Sequence, residues 1–317
     1  MVEVVLNEAV TDLVKQVQAI HPGEINFKYH DKKVGYLRHD QAQEYVDNGQ
    51  ITVEVFDLTN PNYTIAHELL HFLLQFKQLP RISFNVTSGN QALDERIMVT
   101  ATELYDSLLH FRVYEQQRQL GLVDESVEEL YFKGVLAILK PEPKDQRDSW
   151  MVLRTLTLFD CLIFFKGQEE SILPKLQELY PESLQAAQKL YQIATAKELK
   201  SAFALRRAIV KVFAAFDEQL QAWNLMKMNL NEFVTLTAVL SERQSRLQIA
   251  QVFEIYHSIF QDNTVFKDAY IGRYQGDQQN TFVFTVPKGQ DKEVFAKVYE
   301  SKVSDYLQAN GFYYLKR

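Results

Sequence analysis

The chain has 317 residues, 46% of them hydrophobic, which is enough apolar content for one large core or two to three smaller units. A formal charge of −7 argues against a surface whose main task is to neutralise nucleic-acid phosphates. The single cysteine, Cys161, excludes an intrachain disulfide and a thiolate zinc cluster, so any metal must be held by histidines and carboxylates.

The first residues, MVEVVLNEAVTDLV, interrupt their apolar pattern with Glu3, Glu8 and Asp12 and lack the basic start and cleavage site of a secretory signal. Val10, Leu13, Val14 and Val17 predict a helix over 7–20, stopped by His21-Pro22-Gly23. Extended segments are expected at 25–29, 34–37 and 51–56; in the last, Ile51, Val53 and Val55 alternate with Thr52, Glu54 and Phe56. The segment TNPN at 59–62 breaks the chain, and Ile65, Leu69, Phe72, Leu73 and Phe76 then recur at helical spacing over 63–76.

Pro80 closes that helix, residues 81–86 suggest another strand, and a long helical pattern runs from 91 to 119 before Gly121. From there to about residue 270 the chain reads as mainly helical, with breaks at 140–148, Gly167, Pro174 and Pro181. Phe203, Ile209, Phe213, Phe216, Leu220 and Trp223 form an amphipathic face suited to a bundle core. The end reads as strand, helix, strand: 281–286, 291–309 and 312–315, the helix stopped by Asn310-Gly311. The last strand has two possible homes, a small appended unit or the N-terminal sheet. The longest apolar runs are too short to cross a bilayer, and a cytoplasmic protein without a membrane partner is expected.

The stretch TIAHELLHFL, residues 64–73, carries chemistry. On a helix, His67 and His71 lie one turn apart on one face and can aim ring nitrogens at a common ion. Glu68 is one step round, close enough to take a proton from a water at that ion without being a ligand. His21, His30, His39 and His257 show no comparable pairing.

This stretch resembles the active-site helix of the zincin superfamily of metallopeptidases. It has Thr64 three places before the first histidine, uncharged spacers at Ile65, Leu69, Leu70 and Phe72, and a final hydrophobic Leu73. The resemblance implies a Zn2+ cofactor, Glu68 as general base, a peptide or protein substrate, and an extended substrate pairing with the strand before the helix, here 51–56.

The third ligand sorts the zincins. The metzincin pattern would place glycine at Leu74 and histidine at Lys77, and neither fits. The gluzincin alternative takes a glutamate from a later helix, which points to Glu103, 32 residues beyond His71; Glu95 and His110 are the other choices. Asp106 is placed to orient a ligand histidine, although it follows Glu103 by three residues where thermolysin-like gluzincins have four. His110 is an alternative transition-state group, as are Tyr63, Tyr105 and Tyr114.

The expected architecture is α+β and predominantly helical: a small zincin-like sheet with its active-site helix over 1–120, a helical region over 121–270, and a strand-helix-strand segment over 271–317. The expected function is zinc-dependent hydrolysis of peptide bonds. The rival is a regulatory or non-catalytic binding protein with a structural or vestigial zinc site, motivated by the large helical remainder.

Overall fold

A computed structural model describes residues 4–21, 23–144, 146–166 and 169–317. Of these, 53% are helical and 18% lie in strands, so the protein is α+β with helix dominant. The chain forms two compact units, each built from two separate stretches: 1–77 with 109–188, and 78–108 with 189–317. This differs from a linear division at 120 and 270, because the chain leaves the first unit after residue 77 and returns within one long helix.

The first unit opens with helix α1 (Glu8–Ile20), whose N-cap Asn7 accepts the Val10 amide. Strands β1 (Ile25–Tyr29), β2 (Ala42–Asp47) and β3 (Gln50–Val55) form one sheet in the order β1-β3-β2, with β3 parallel to β1 and antiparallel to β2. The strand expected at 34–37 is instead a bend, with Gly35 at φ +76°. The missed strand is β2, whose mostly exposed residues carry little apolar alternation. Strand β3 is central, so its backbone groups are taken on both sides, and the expectation that 51–56 offers an edge to a peptide is overturned.

Helix α2 (Pro61–Gln75) packs on β2, β3 and α1 and is buried round most of its circumference. Ile65, Ala66 and Leu69 are fully buried, as are Ile51, Val53 and Val55 of β3. Burial of each such aliphatic side chain contributes roughly 1.5–3 kcal/mol. Helix α3 (Gln91–Gln119) gives its residues from 109 onward to this unit. There follow α4 (Glu125–Ile138), α5 (Met151–Phe164), α6 (Leu173–Leu179) and α7 (Pro181–Thr195). The breaks expected at 140–148, Pro174 and Pro181 fall between or at the starts of these helices; Gly167 and Pro22 lie outside the described residues. Gly134 lets α4 approach the chain at Leu37, since a Cβ there would sit 1.8 Å from the Leu37 carbonyl oxygen.

The second unit contains the split strand β4 (Ile82–Phe84) and β5 (Val86–Thr87), then α8 (Ala202–Ala222) and α9 (Leu230–Phe233). Here the expectation of a mainly helical chain to about 270 fails beyond α9, where strands begin. Strands β6 (Val234–Leu236) and β7 (Ala238–Leu240) follow, then short helices α10 (Glu242–Arg246) and α11 (Ile249–Val252), then the long strands β8 (Phe253–Asp262) and β9 (Asp268–Tyr274). The β-branched and aromatic residues of FEIYHSIF suit a pleated surface better than a helix face. Strand β10 (Asn280–Thr285) completes a sheet ordered β10-β9-β8-β5. Two helices, α12 (Asp291–Glu300) and α13 (Val303–Ala309), take the place of the single one expected at 291–309, and β11 (Tyr314–Lys316) pairs in parallel with β7. The last strand therefore does not return to the N-terminal sheet. Among the described residues no helix is long and apolar enough to cross a membrane.

Candidate metal centre

Helix α2 starts at Asn60, whose side chain accepts the Tyr63 amide at 3.2 Å, with Pro61 as its first helical residue. Nearly two turns in, His67 and His71 lie along the same face with ring centroids 4.8 Å apart. Helix α3 brings a third ring to them. His110 lies 4.9 Å from His67 and 5.0 Å from His71 between centroids, and its Nε2 is 3.0 Å from the His71 Nε2. One ring nitrogen from each of the three lies within 4.8 Å of the other two. His67 and His110 are buried and His71 is half-buried.

Each of two rings is held from behind. The His110 Nδ1 is 2.5 Å from Oδ1 of Asp160 on α5, and the other carboxylate oxygen accepts the hydroxyls of Tyr114 at 2.7 Å and Tyr131 at 2.6 Å. Burial pushes the Asp160 carboxyl up, but His110, Tyr131 and Tyr114 together outweigh it and hold Asp160 below the ordinary carboxylate range. A carboxylate only accepts hydrogen bonds, so the hydrogen lies on His110 Nδ1 and Nε2 faces the other rings. Behind His67, Nδ1 meets the Gln117 Oε1 at 3.4 Å, while the Gln117 amide nitrogen donates to the Tyr63 carbonyl at 3.0 Å. That second bond fixes which way the Gln117 amide points, and hence its oxygen towards His67.

The electrostatics suit a cation site. Burial, with His110 beside it, lowers the His67 pKa to about 3. Burial, with His67 and His110 beside it, lowers His71 well below its ordinary 6.5. Both rings therefore present lone pairs rather than positive charge at neutral pH. Burial raises the Tyr114 and Tyr131 phenols, so they remain donors to Asp160.

Glu68 is buried and shares with His67 a small pocket that Arg38, His39, Tyr114 and Tyr131 also line. Its volume is about 10 Å³, room for roughly one water.

The convergent group contains His110 in the place expected for Glu103. Glu103 lies on α3 seven residues before His110, about 10 Å along the axis at 1.5 Å per residue. Asp106 lies one turn before His110, and the groups that hold His110 and His67 are Asp160 and Gln117. Glu95 accepts a bond from Gln91 at the start of α3, and the Tyr105 hydroxyl donates to the Pro80 carbonyl. Sequence reasoning missed Asp160, Gln117 and Tyr131. For Asp160 a signal existed: it is the one charge in the otherwise uncharged run LTLFDCLIFF at 156–165, and a carboxylate in such a run needs a partner.

Compared with known proteins, the chain matches no family model, no curated protein and no solved structure.

Proposed function

We propose that this protein is a zinc-dependent peptidase, with His67, His71 and His110 as the metal's protein ligands and Glu68 as general base. The observation that carries the reading is the convergence of three ring nitrogens, two from α2 and one from α3, with buried Glu68 lining a small pocket together with His67. The donor set fits zinc: neutral imidazoles are its common ligands, three protein donors leave an open position, and the rear nitrogens of His67 and His110 are already engaged. Zinc bound there would supply Lewis acidity to a scissile carbonyl and make a nearby water more acidic.

The remaining steps belong to the chain. The Glu68 carboxylate, next to His67, accepts the proton of the attacking water and returns it to the leaving amine. The pocket that Glu68 shares with His67 has room for roughly the one water to be activated. The resemblance of TIAHELLHFL to zincin helices supports peptide hydrolysis over other zinc chemistry.

A second reading is favoured by one observation. A pocket of about 10 Å³ beside His67 and Glu68 holds roughly one water and no peptide bond. A regulatory or structural zinc site without turnover agrees with that. Zinc content of protein purified without chelators, paired with cleavage of a fluorogenic peptide library with and without chelator, separates the two. Bound zinc with chelator-sensitive cleavage supports the peptidase, and bound zinc without cleavage supports the second reading.

A further inference from the structure

Asp160 is a buried carboxylate whose hydrogen-bond donors, His110, Tyr114 and Tyr131, come from two other helices. Tyr114 and Tyr131 are 2% and 6% exposed. The chain thus spends three side chains and the desolvation of one charge on fixing a single imidazole, and fold stability gives little reason for that. Replacing such a polar group by apolar residues of similar volume is often neutral or stabilising. Buried arginines elsewhere in the protein are tied to backbone carbonyls. Arg154, for example, bonds Asp148 and the carbonyls of Lys140 and Pro141. Among the described residues Asp160 bonds side chains alone, and one of these faces the shared point of the three rings.

Resting on the metal reading above, we propose that Asp160 is the positioning residue of the metal centre, holding the His110 ring so that Nε2 meets a divalent cation shared with His67 and His71. Three physical consequences follow. The carboxylate fixes the tautomer, because it can only accept from Nδ1–H. It raises the basicity of Nε2, strengthening that nitrogen as a donor. Its negative charge, transmitted through the ring, offsets part of the cation's charge inside a buried site. Tyr114 and Tyr131 act one layer further out, occupying the second carboxylate oxygen so that the first stays on His110.

The experiment compares the full-length protein with Asp160→Asn, Tyr131→Phe and, as a control, Asp148→Asn, which disturbs the ion pair of buried Arg154 with half-buried Asp148 in the same unit but not the rings. Zinc affinity is measured by competition with a chromophoric chelator, and melting temperature with and without zinc. Asp160→Asn is expected to weaken zinc about 10–100-fold, and the melting-temperature rise that zinc produces should shrink in step. Tyr131→Phe should fall between Asp160→Asn and wild type. Asp148→Asn should lower both melting temperatures together and leave affinity unchanged.

If Asp160→Asn behaves like Asp148→Asn, Asp160 is merely structural and the proposal is overturned. Should Asp160→Asn fail to fold, Tyr131→Phe decides: a folded variant with wild-type affinity also overturns it. Failure of the underlying metal reading looks different, because wild-type protein would then bind no zinc before any variant is made.

Discussion

Both units of this protein bury charge that is tied to backbone, as at Arg154 and Arg206, and one cluster of the first unit uses its charge differently. In the second unit Arg206 donates to both oxygens of Asp277, at 2.9 and 3.1 Å, and to the carbonyls of Leu236 and Thr237, each at 2.8 Å. Glu232 accepts from the Ser258 hydroxyl, the Ile259 amide and Arg273. These bonds stitch strands to helices, and each charge meets its fixed counterpart. Around Asp160 in the first unit, unlike at Arg154, the buried polar groups bond one another in a chain that ends on three rings facing a common point. Buried polarity spent on backbone therefore reads as architecture, and buried polarity that converges on lone pairs reads as a site.

The sharpest test of that contrast removes a donor. His71→Ala or His110→Ala should cost zinc affinity more than the ~10–100-fold attached to a supporting group, with the fold retained, as measured by chelator competition and circular dichroism. Glu68→Gln should keep the zinc and lower peptide turnover by about 10²–10⁴-fold; undiminished turnover would remove Glu68 from the chemistry.

The opposite signature belongs to the second unit. Arg206→Met leaves Asp277 and two carbonyls without their donor, and should lower unfolding free energy by about 3–5 kcal/mol in denaturant titration without touching zinc affinity. Glu103→Ala sharpens the ligand assignment, since affinity should stay at the wild-type level. A loss as large as that of His110→Ala would move the ligand role to Glu103.

The smallest effect concerns pH. Lys28 and then His30, both hydrogen-bonded to Glu54, lower its pKa to about 2 from 4.5. Because the native value lies below the unfolded one, this stabilisation is present above 4.5 and fades as pH falls towards 2. Denaturant midpoints at about pH 6 and about pH 3 should differ less for Glu54→Gln than for wild type.

What the sequence disclosed follows from the range of the forces involved. Helix α2 was legible from local signals, the break at 59–62, apolar spacing over 63–76 and two histidines one turn apart, although its first residues Pro61 and Asn62 were read as part of the break. Helix α3 matched its expected bounds for the same reason. His110 stood only among several candidates, because nothing local says which turn of a 29-residue helix meets His67. Asp160 lies 50 residues from His110, and only tertiary packing brings the two together. Strands β6 to β9 were read as helix because short apolar runs carry no decisive period, and their pairing with β4, β5 and β10 is long-range information.

The burial of α2 has a kinetic corollary. With Thr64 through Leu70 buried, its central amides have no surface-level fraying to exchange through, and deuterium should enter there only when the unit opens as a whole. The histidine pair and Glu68 then share the lifetime of the native state, so their loss on heating or in denaturant should be all-or-none and coincide with global unfolding.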